Sequence, residues 1–228
     1  MTGTRIALVT GASRGLGRET ARQLAAKGWH VWVAARRLTD ANATAEDIGQ
    51  NARPVQLDVT DQGSVDDAFS AVGRSGGLHC LINNAGIDYD TDQRASTADL
   101  NRVRSTFETN LFGAWACAMA AIPHLTQQRH STIVNVSSGA GALTDMASGP
   151  PGYSTSKAAL NALTRILAAE LRADGVLVNA VCPGWVATDM GKGGRPIAEG
   201  AKGIVWAADL APGGPSSGFF RDGQPIDW

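Results

Sequence analysis

The sequence predicts an α/β fold, a doubly wound parallel sheet with helices on both faces, built as one domain over residues 1–228. Apolar β-branched runs alternate with alanine-rich helical stretches, which is the rhythm of βαβ units. The runs are apolar on both sides, so both sides of the sheet must be covered. A glycine-rich loop, TGASRGLG, joins the first run to the first helical stretch, where such sheets turn from strand to helix.

In order, Ile6 to Thr10 reads as a strand, Glu19 to Lys27 as a helix, and Val31 to Ala35, Val55 to Asp58 and Leu78 to Asn83 as strands. Leu100 to Ala121 reads as one long helix, Thr132 to Ser137 as a strand, Tyr153 to Ala173 as a second long helix and Val176 to Val181 as a strand. Pro183 and Gly184 stop that strand. Lys192 to Pro196 reads as a flexible segment before a short helix around Glu199 to Ala208, and Gly213 to Gly218 as a connector to a last apolar stretch at Phe219 and Phe220.

Length and composition narrow the function. At 228 residues the chain is within reach of one hydrophobic core, and 43% apolar against 18% charged residues suits a globular protein. Twenty Lys plus Arg face 21 Asp plus Glu, so there is no general pull toward nucleic acid or membrane phosphate. The start, MTGTRIALVTGAS, has too short an apolar run for a signal peptide, and nothing approaches the ~20 apolar residues of a membrane span. A cytoplasmic protein is expected. Cys80, Cys117 and Cys182 are scattered, without CxxC spacing, and support neither a disulfide framework nor a metal site.

The loop Gly11, Ala12, Ser13, Arg14, Gly15, Leu16, Gly17 can aim backbone N–H groups and a positive helix end at a pyrophosphate, the Rossmann arrangement. A tight strand-to-helix turn in a nucleotide-free protein is the alternative. After the second strand stand Arg36 and Arg37, where an NAD-binding fold presents an acid to the ribose 2′-hydroxyl. An arginine there suits the 2′-phosphate of NADP, with Arg36 the first candidate, Arg37 close by and Arg14 reaching from the loop. Each arginine alone is equally an ordinary solvated residue. Asp58 and Val59, and then Asn84, Ala85 and Gly86, follow the third and fourth strands, at the sheet edge where ligands lie. Asn83 and Asn84 read equally well as a turn held by amide side chains.

Tyr153 and Lys157, four residues apart, share a helix face. An ammonium beside a phenol stabilises the phenolate and lowers its pKa, which makes a proton donor and acceptor usable nearer neutral pH. Ser138, with Ser137 its close competitor, can steady a substrate oxygen as charge develops, or can simply form a turn. Asn110 is helix-disfavoured in its surroundings. It is either a buried amide bonded to a neighbouring carbonyl or the holder of a water that relays protons to Lys157.

Together TGASRGLG, LDV, NNAG, Asn110, VNVSS, YSTSK and PGWVATD resemble the short-chain dehydrogenase/reductase family in order and spacing over nearly the whole chain. The resemblance implies that Gly11, Ser13, Arg14, Gly15 and Gly17 hold the pyrophosphate side of a dinucleotide, and Asp58, Val59 and Asn84 the adenosine side. It places Val186, after Pro183 and Gly184 and assisted by Thr188, at the nicotinamide carboxamide, and makes Asn110, Ser138, Tyr153 and Lys157 the catalytic tetrad, with Lys157 also on the nicotinamide ribose. Pro183 to Met190 and Gly218 to Phe220 look like the carbonyl reductase branch. Many mammalian carbonyl reductases carry a long insertion between serine and tyrosine; only fourteen residues lie between Ser138 and Tyr153 here, which leaves exposed a helix face that related enzymes use for pairing and points to a homodimer or homotetramer.

The expected function is NADPH-dependent reduction of a small-molecule ketone or aldehyde, with NADPH/NADP as cofactor ahead of NAD and with neither nucleic acid nor membrane as partner. The alternatives are an NAD(P)-dependent alcohol dehydrogenase or 3-oxoacyl reductase, and a non-catalytic dinucleotide sensor. Tyr89, Met146, Trp185, Met190 and Trp228 are candidates for an apolar substrate pocket, though such residues more often belong to cores or interfaces. The glycine-rich stretch Gly191 to Pro196 suggests a mobile lid.

Overall fold

The computed structural model describes residues 4–189 and 193–228. One eight-stranded sheet organises them, in the order β3-β2-β1-β4-β5-β6-β7-β8, from β1 (Ile6–Val9), β2 (His30–Ala35), β3 (Ala52–Gln56), β4 (Cys80–Asn83), β5 (Ser131–Val136), β6 (Val176–Val181), β7 (Phe219–Arg221) and β8 (Gln224–Pro225). The first seven pair in parallel; β7 and β8 form an antiparallel hairpin, turning through Asp222 and Gly223 at φ 54° and 75°. Strand order reverses beside β1, whose neighbours are β2 and β4, so the loops leaving β1 and β4 diverge and open a crevice at the carboxyl edge.

Alternation along the strands sends side chains to two cores. Leu8, Leu81, Ile133 and Val178 pack on the face covered by α3 (Gln62–Gly73), α5 (Ala114–Leu125) and α6 (Pro151–Glu170). Ala7, Val9, Ile82, Val134 and Val181 pack on the other, under α1 (Gly15–Ala26) and α7 (Ile197–Ala208). Every residue of β1, β4, β5 and β6 is buried, as strands covered on both faces require.

The structure departs from the sequence reading in four places, one of them the third strand, which runs Ala52–Gln56 and not Val55 to Asp58. Two helices, α2 (Leu38–Ile48) and α3, fill intervals that the reading left blank. The second is well signposted: Asp61 caps it by accepting from the Ser64 N–H at 2.8 Å, and Val65, Ala68, Phe69 and Val72 form a buried stripe at helical spacing. The expected continuous helix from Leu100 to Ala121 is α4 (Leu100–Phe107), a π-helical segment (Glu108–Gly113) and α5. The last strand, β8, was not anticipated, nor was its antiparallel pairing.

The start of α6 carries Tyr153 and has an unusual cap. Its flanking residue Pro150 offers no side-chain hydrogen bond, and Pro150 and Pro151 have no N–H. The first two helical N–H groups, of Gly152 and Tyr153, are instead accepted by Asp90, at 2.8 and 3.0 Å. Of the stretch read as a candidate lid, Gly191 and Lys192 lie outside the described residues, as does Met190 before it. Arg195 closes the near end of that stretch by donating to the Pro183 carbonyl at 2.8 Å and pairing in bidentate fashion with Asp222 at 2.8 and 2.9 Å.

Candidate active site at the carboxyl edge of the sheet

A cavity of about 730 Å³ lies in the crevice, lined by residues from the ends of β1 through β6. Its floor is the glycine loop. Gly11 takes φ +63°, and a Cβ at Gly17 would stand 2.4 Å from the Asn84 Nδ2 and 2.5 Å from the Gly11 carbonyl, so both positions exclude a side chain. Asn84 fastens the loop by donating to the carbonyls of Thr10 (2.8 Å) and Gly11 (3.2 Å), while the Thr10 hydroxyl accepts from the N–H groups of Asn84 and Ala85 at 3.0 and 2.9 Å. The Asn84 amide therefore holds the glycine loop and not a turn of its own, on a residue that also faces the cavity. Helix α1 begins here with no side-chain cap and no acid in its first turn, which leaves its N–H groups and positive end facing the cavity.

The structure brings most of the sequence candidates to this wall: Gly11, Ser13, Arg14, Gly15, Leu16, Gly17, Arg36, Asp58, Val59, Asn84, Ala85, Gly86, Ser138, Tyr153, Lys157, Pro183, Gly184, Val186 and Thr188 all line it. Arg37 does not: its guanidinium turns to Asp40 in a bidentate pair at 2.8 and 3.0 Å, at the start of α2. The expected convergence of three arginines is thus of two. Arg14 reaches across the mouth to Asp189 at 2.6 Å, whereas Arg36 makes no ion pair among the described residues. Asp58 folds back on Thr60, accepting from its N–H and hydroxyl at 3.0 and 2.8 Å.

At the other end of the cavity, Ser137 and Ser138 separate clearly. The Ser137 hydroxyl is buried and donates to Asn161 at 2.6 Å, whereas Ser138 caps the next turn by accepting from the Ala140 N–H at 3.2 Å and keeps company with Tyr153. Lys157 is 4% exposed, donates to the Val136 carbonyl at 2.8 Å, and holds its ammonium 5.7 Å from the Tyr153 ring centre. Burial pushes Tyr153 up to about 12; the Ser138 hydrogen bond pulls it back, and Cys182 and Tyr89 push it further up. Burial likewise lowers Lys157 to about 8. The expected lowering of the phenol is overturned here, because loss of hydration outweighs any help from the lysine.

Asn110 lies behind the wall, in the π-helical segment. Its Oδ1 accepts from the Ile87 N–H at 2.8 Å; its Nδ2 donates to the Ile87 carbonyl and to Ser156, both at 3.1 Å. This satisfied amide answers the question of what compensates a helix-disfavoured residue. Both it and the lysine border Gly86: a Cβ there would be 3.5 Å from Asn110 Oδ1 and 3.6 Å from Lys157 Nζ. Of the apolar candidates, Tyr89 and Trp185 line the cavity, their rings 5.5 Å apart, while Met146 does not and Trp228 stacks on Phe219.

The reading of the sequence missed Ile87, Thr60, Ser105, Glu108, Thr109 and Asp189, which also line the cavity. Ser105, Glu108 and Thr109 stand at i, i+3 and i+4 before Asn110, a spacing that would have exposed them once the face of that helix was known.

A glycine floor at a switch point, an uncapped helix end and a Tyr–Lys pair on one wall define the dinucleotide-binding class of α/β oxidoreductases. The chain belongs to the short-chain dehydrogenase family, whose model (short chain dehydrogenase) matches residues 5–196. It is 35% identical over 188 residues to the 3-oxoacyl-[acyl-carrier-protein] reductase FabG of Escherichia coli (strain K12), covering 82% of this chain and 75% of that protein. To the FabG of Staphylococcus aureus (strain Mu50 / ATCC 700699) it is 39% identical over 196 residues, covering 82% and 76%. The NADPH-bound carbonyl reductase from chicken fatty liver superposes with a TM-score of 0.89 at 29% identity over 99% of both chains. No described helix is long and apolar enough to cross a membrane.

Lys157 gives the cofactor-free protein a testable pH signature. Its pKa is lower folded (about 8) than unfolded, so between pH 8 and about 10.5 the unfolded chain binds more protons and the Lys157 contribution to stability rises with pH, by up to about 3 kcal/mol. Tyr153 acts oppositely between pH 10 and 12, where only the unfolded chain has lost its proton. Urea denaturation of the parent and of Lys157→Met from pH 7 to 10 should give a parent whose stability gains on the variant as pH rises.

Proposed function

We propose that this protein is an NADPH-dependent carbonyl reductase that converts a small-molecule ketone or aldehyde to an alcohol. The observation that carries this reading is the placement of Tyr153, Ser138 and Lys157 on the cavity whose floor is the glycine loop. The residues fit a dinucleotide: the side-chain-free floor at Gly11 and Gly17 and the uncapped end of α1 suit a pyrophosphate, and Arg36 suits a 2′-phosphate. Val186 and Thr188 would meet the carboxamide end, with Asp58, Val59 and Asn84 along the adenosine side and Ala85 and Gly86 also against the cofactor. When bound, NADPH supplies the hydride.

The chain's own residues then handle the proton. Burial keeps the Tyr153 phenol protonated at neutral pH, the form that gives a proton to a carbonyl oxygen. The Ser138 hydroxyl donates to the same oxygen as negative charge builds on it. Lys157, with its proton held loosely near pH 8, stabilises the phenolate left on Tyr153 and returns a proton to it. Tyr89 and Trp185 supply the aromatic wall against which a substrate would lie.

The likeness to chicken carbonyl reductase over the full length of both chains supports a free carbonyl substrate, and the FabG relatives support the competing reading of a carrier-bound 3-oxoacyl substrate. Following nicotinamide absorbance with an activated keto ester, an aromatic aldehyde and a 3-oxoacyl thioester separates the two. Tyr153→Phe should lower turnover by at least about 100-fold while leaving NADPH affinity within twofold. Near-parent turnover would sink the reading. Arg36→Ala should raise the KM for NADPH about 10- to 100-fold and leave that for NADH unmoved, and an equal effect on both would remove Arg36 from 2′-phosphate recognition.

We further infer a homodimer or homotetramer, located in the cytoplasm. Phe112, Trp115 and Met119 form one exposed apolar stripe on α5 and the π-helical segment before it, with exposed Ile166 on α6. Sedimentation of Trp115→Glu should show a smaller species than the parent. The unpaired, buried Cys80, Cys117 and Cys182 suit a reducing compartment.

A further inference from the structure

We propose that Asp90 is a positioning residue for Tyr153, fixing the backbone of the proton donor from a different part of the chain; this rests on the catalytic reading of Tyr153 above. Asp90 is 1% exposed, and its two carboxylate oxygens accept from consecutive N–H groups, Gly152 to Oδ2 at 2.8 Å and Tyr153 to Oδ1 at 3.0 Å. These are the second and third residues of α6, whose N–H groups a flanking side chain ordinarily takes. Pro150 cannot do so, and the next N–H, of Ser154, already bonds the Pro150 carbonyl at 2.9 Å. Asp90 therefore supplies the whole side-chain cap, with a charge that complements the helix end.

The segment around it is anchored twice. Asp88, at φ +64°, receives three bonds of 2.6–3.1 Å from Arg102 of α4 and one of 3.0 Å from Thr106, and Asp92 takes the remaining Arg102 nitrogen at 2.7 Å. Between these anchors Tyr89 presses against the Tyr153 ring, centres 5.1 Å apart and nearly edge to face. Tyr153 is thus held at its backbone by Asp90 and at its ring by the preceding residue, Tyr89, both referred to α4. Gly152 belongs to the device, since a Cβ there would lie 3.0 Å from Asp90 Oδ2 and 3.4 Å from Val103.

Misplacing a catalytic group by about 1 Å can cost 100-fold in rate without touching ground-state binding. The experiment measures kcat, the KM for an activated keto ester, and the NADPH Kd, with kcat normalised to NADPH-binding sites so that unfolded protein is not counted. Asp90→Ala should lower kcat at least tenfold with NADPH Kd and KM within twofold. Asp90→Asn, which keeps one acceptor oxygen, should fall between it and the parent. Gly152→Ala, which keeps the carboxylate but crowds it, should lower kcat in the same direction and serves if Asp90→Ala does not fold. A normalised kcat within twofold of the parent in the folded variants would overturn the positioning role, provided Tyr153→Phe is inactive. Full turnover in Tyr153→Phe would overturn the catalytic reading and this proposal with it.

Discussion

The hydrogen bonds between Thr10 and Asn84 are the constraint on which the site depends. They tie the loop leaving β1 to the loop leaving β4 at the point where strand order reverses, with the Thr10 hydroxyl accepting two N–H groups and the Asn84 amide returning two bonds. Without them the two loops would part and the floor of the cavity would have no fixed height. With them, Gly17 comes so close to the Gly11 carbonyl that no side chain fits. The opposite wall is set by a different bond of the same kind, from Lys157 to the Val136 carbonyl at the end of β5. Sheet edges thus fix both ends of the cavity, and bonds to backbone carbonyls there hold in place the loops that carry many of its polar groups.

Burial, rather than pairing, governs the electrostatics of the pair on α6. A phenol and an ammonium four residues apart invite the thought that each stabilises the other's charge. Inside this wall each instead loses water, and the neutral form of both gains: Tyr153 rises to about 12 and Lys157 falls to about 8. The two values, nearly equal in water, move apart and exchange their order, so the proton rests on the phenol oxygen rather than on the lysine nitrogen by a wider margin than in water.

Much of this was legible in the sequence, and the limits have physical causes. Strands buried on both faces announce themselves as continuous apolar runs, and β6 falls on its predicted residues, Val176–Val181. The glycine loop, Ser138, Tyr153 and Lys157 could be placed because each sits at the end of such a run or the start of the helix after it. Helix α2 was passed over because its buried face is made of Ala41, Thr44 and Ala45, too small and too polar to stand out. The π-helical segment left only a faint trace, the awkward Asn110, since inserting one residue into a helix barely changes its hydrophobic period. Arg37 was misplaced because neighbouring side chains on an ending strand point to opposite faces, so that Arg36 faces the cavity while its neighbour joins Asp40. Asp90 had no local signature at all, because the groups it serves come more than sixty residues later.

The pair between Arg195 and Asp222 has a bearing on synthesis. It joins the segment after β6 to the β7–β8 hairpin, and β7 completes the sheet beside β6. The wall formed by Pro183 to Val186 is therefore braced by the hairpin near the end of the chain. A ribosome that has already released β1, α1 and the glycine loop still has the opposing brace inside its exit tunnel. The nascent protein can fold the half that carries the glycine loop early, but the cavity gains this support only once Asp222 has left the tunnel.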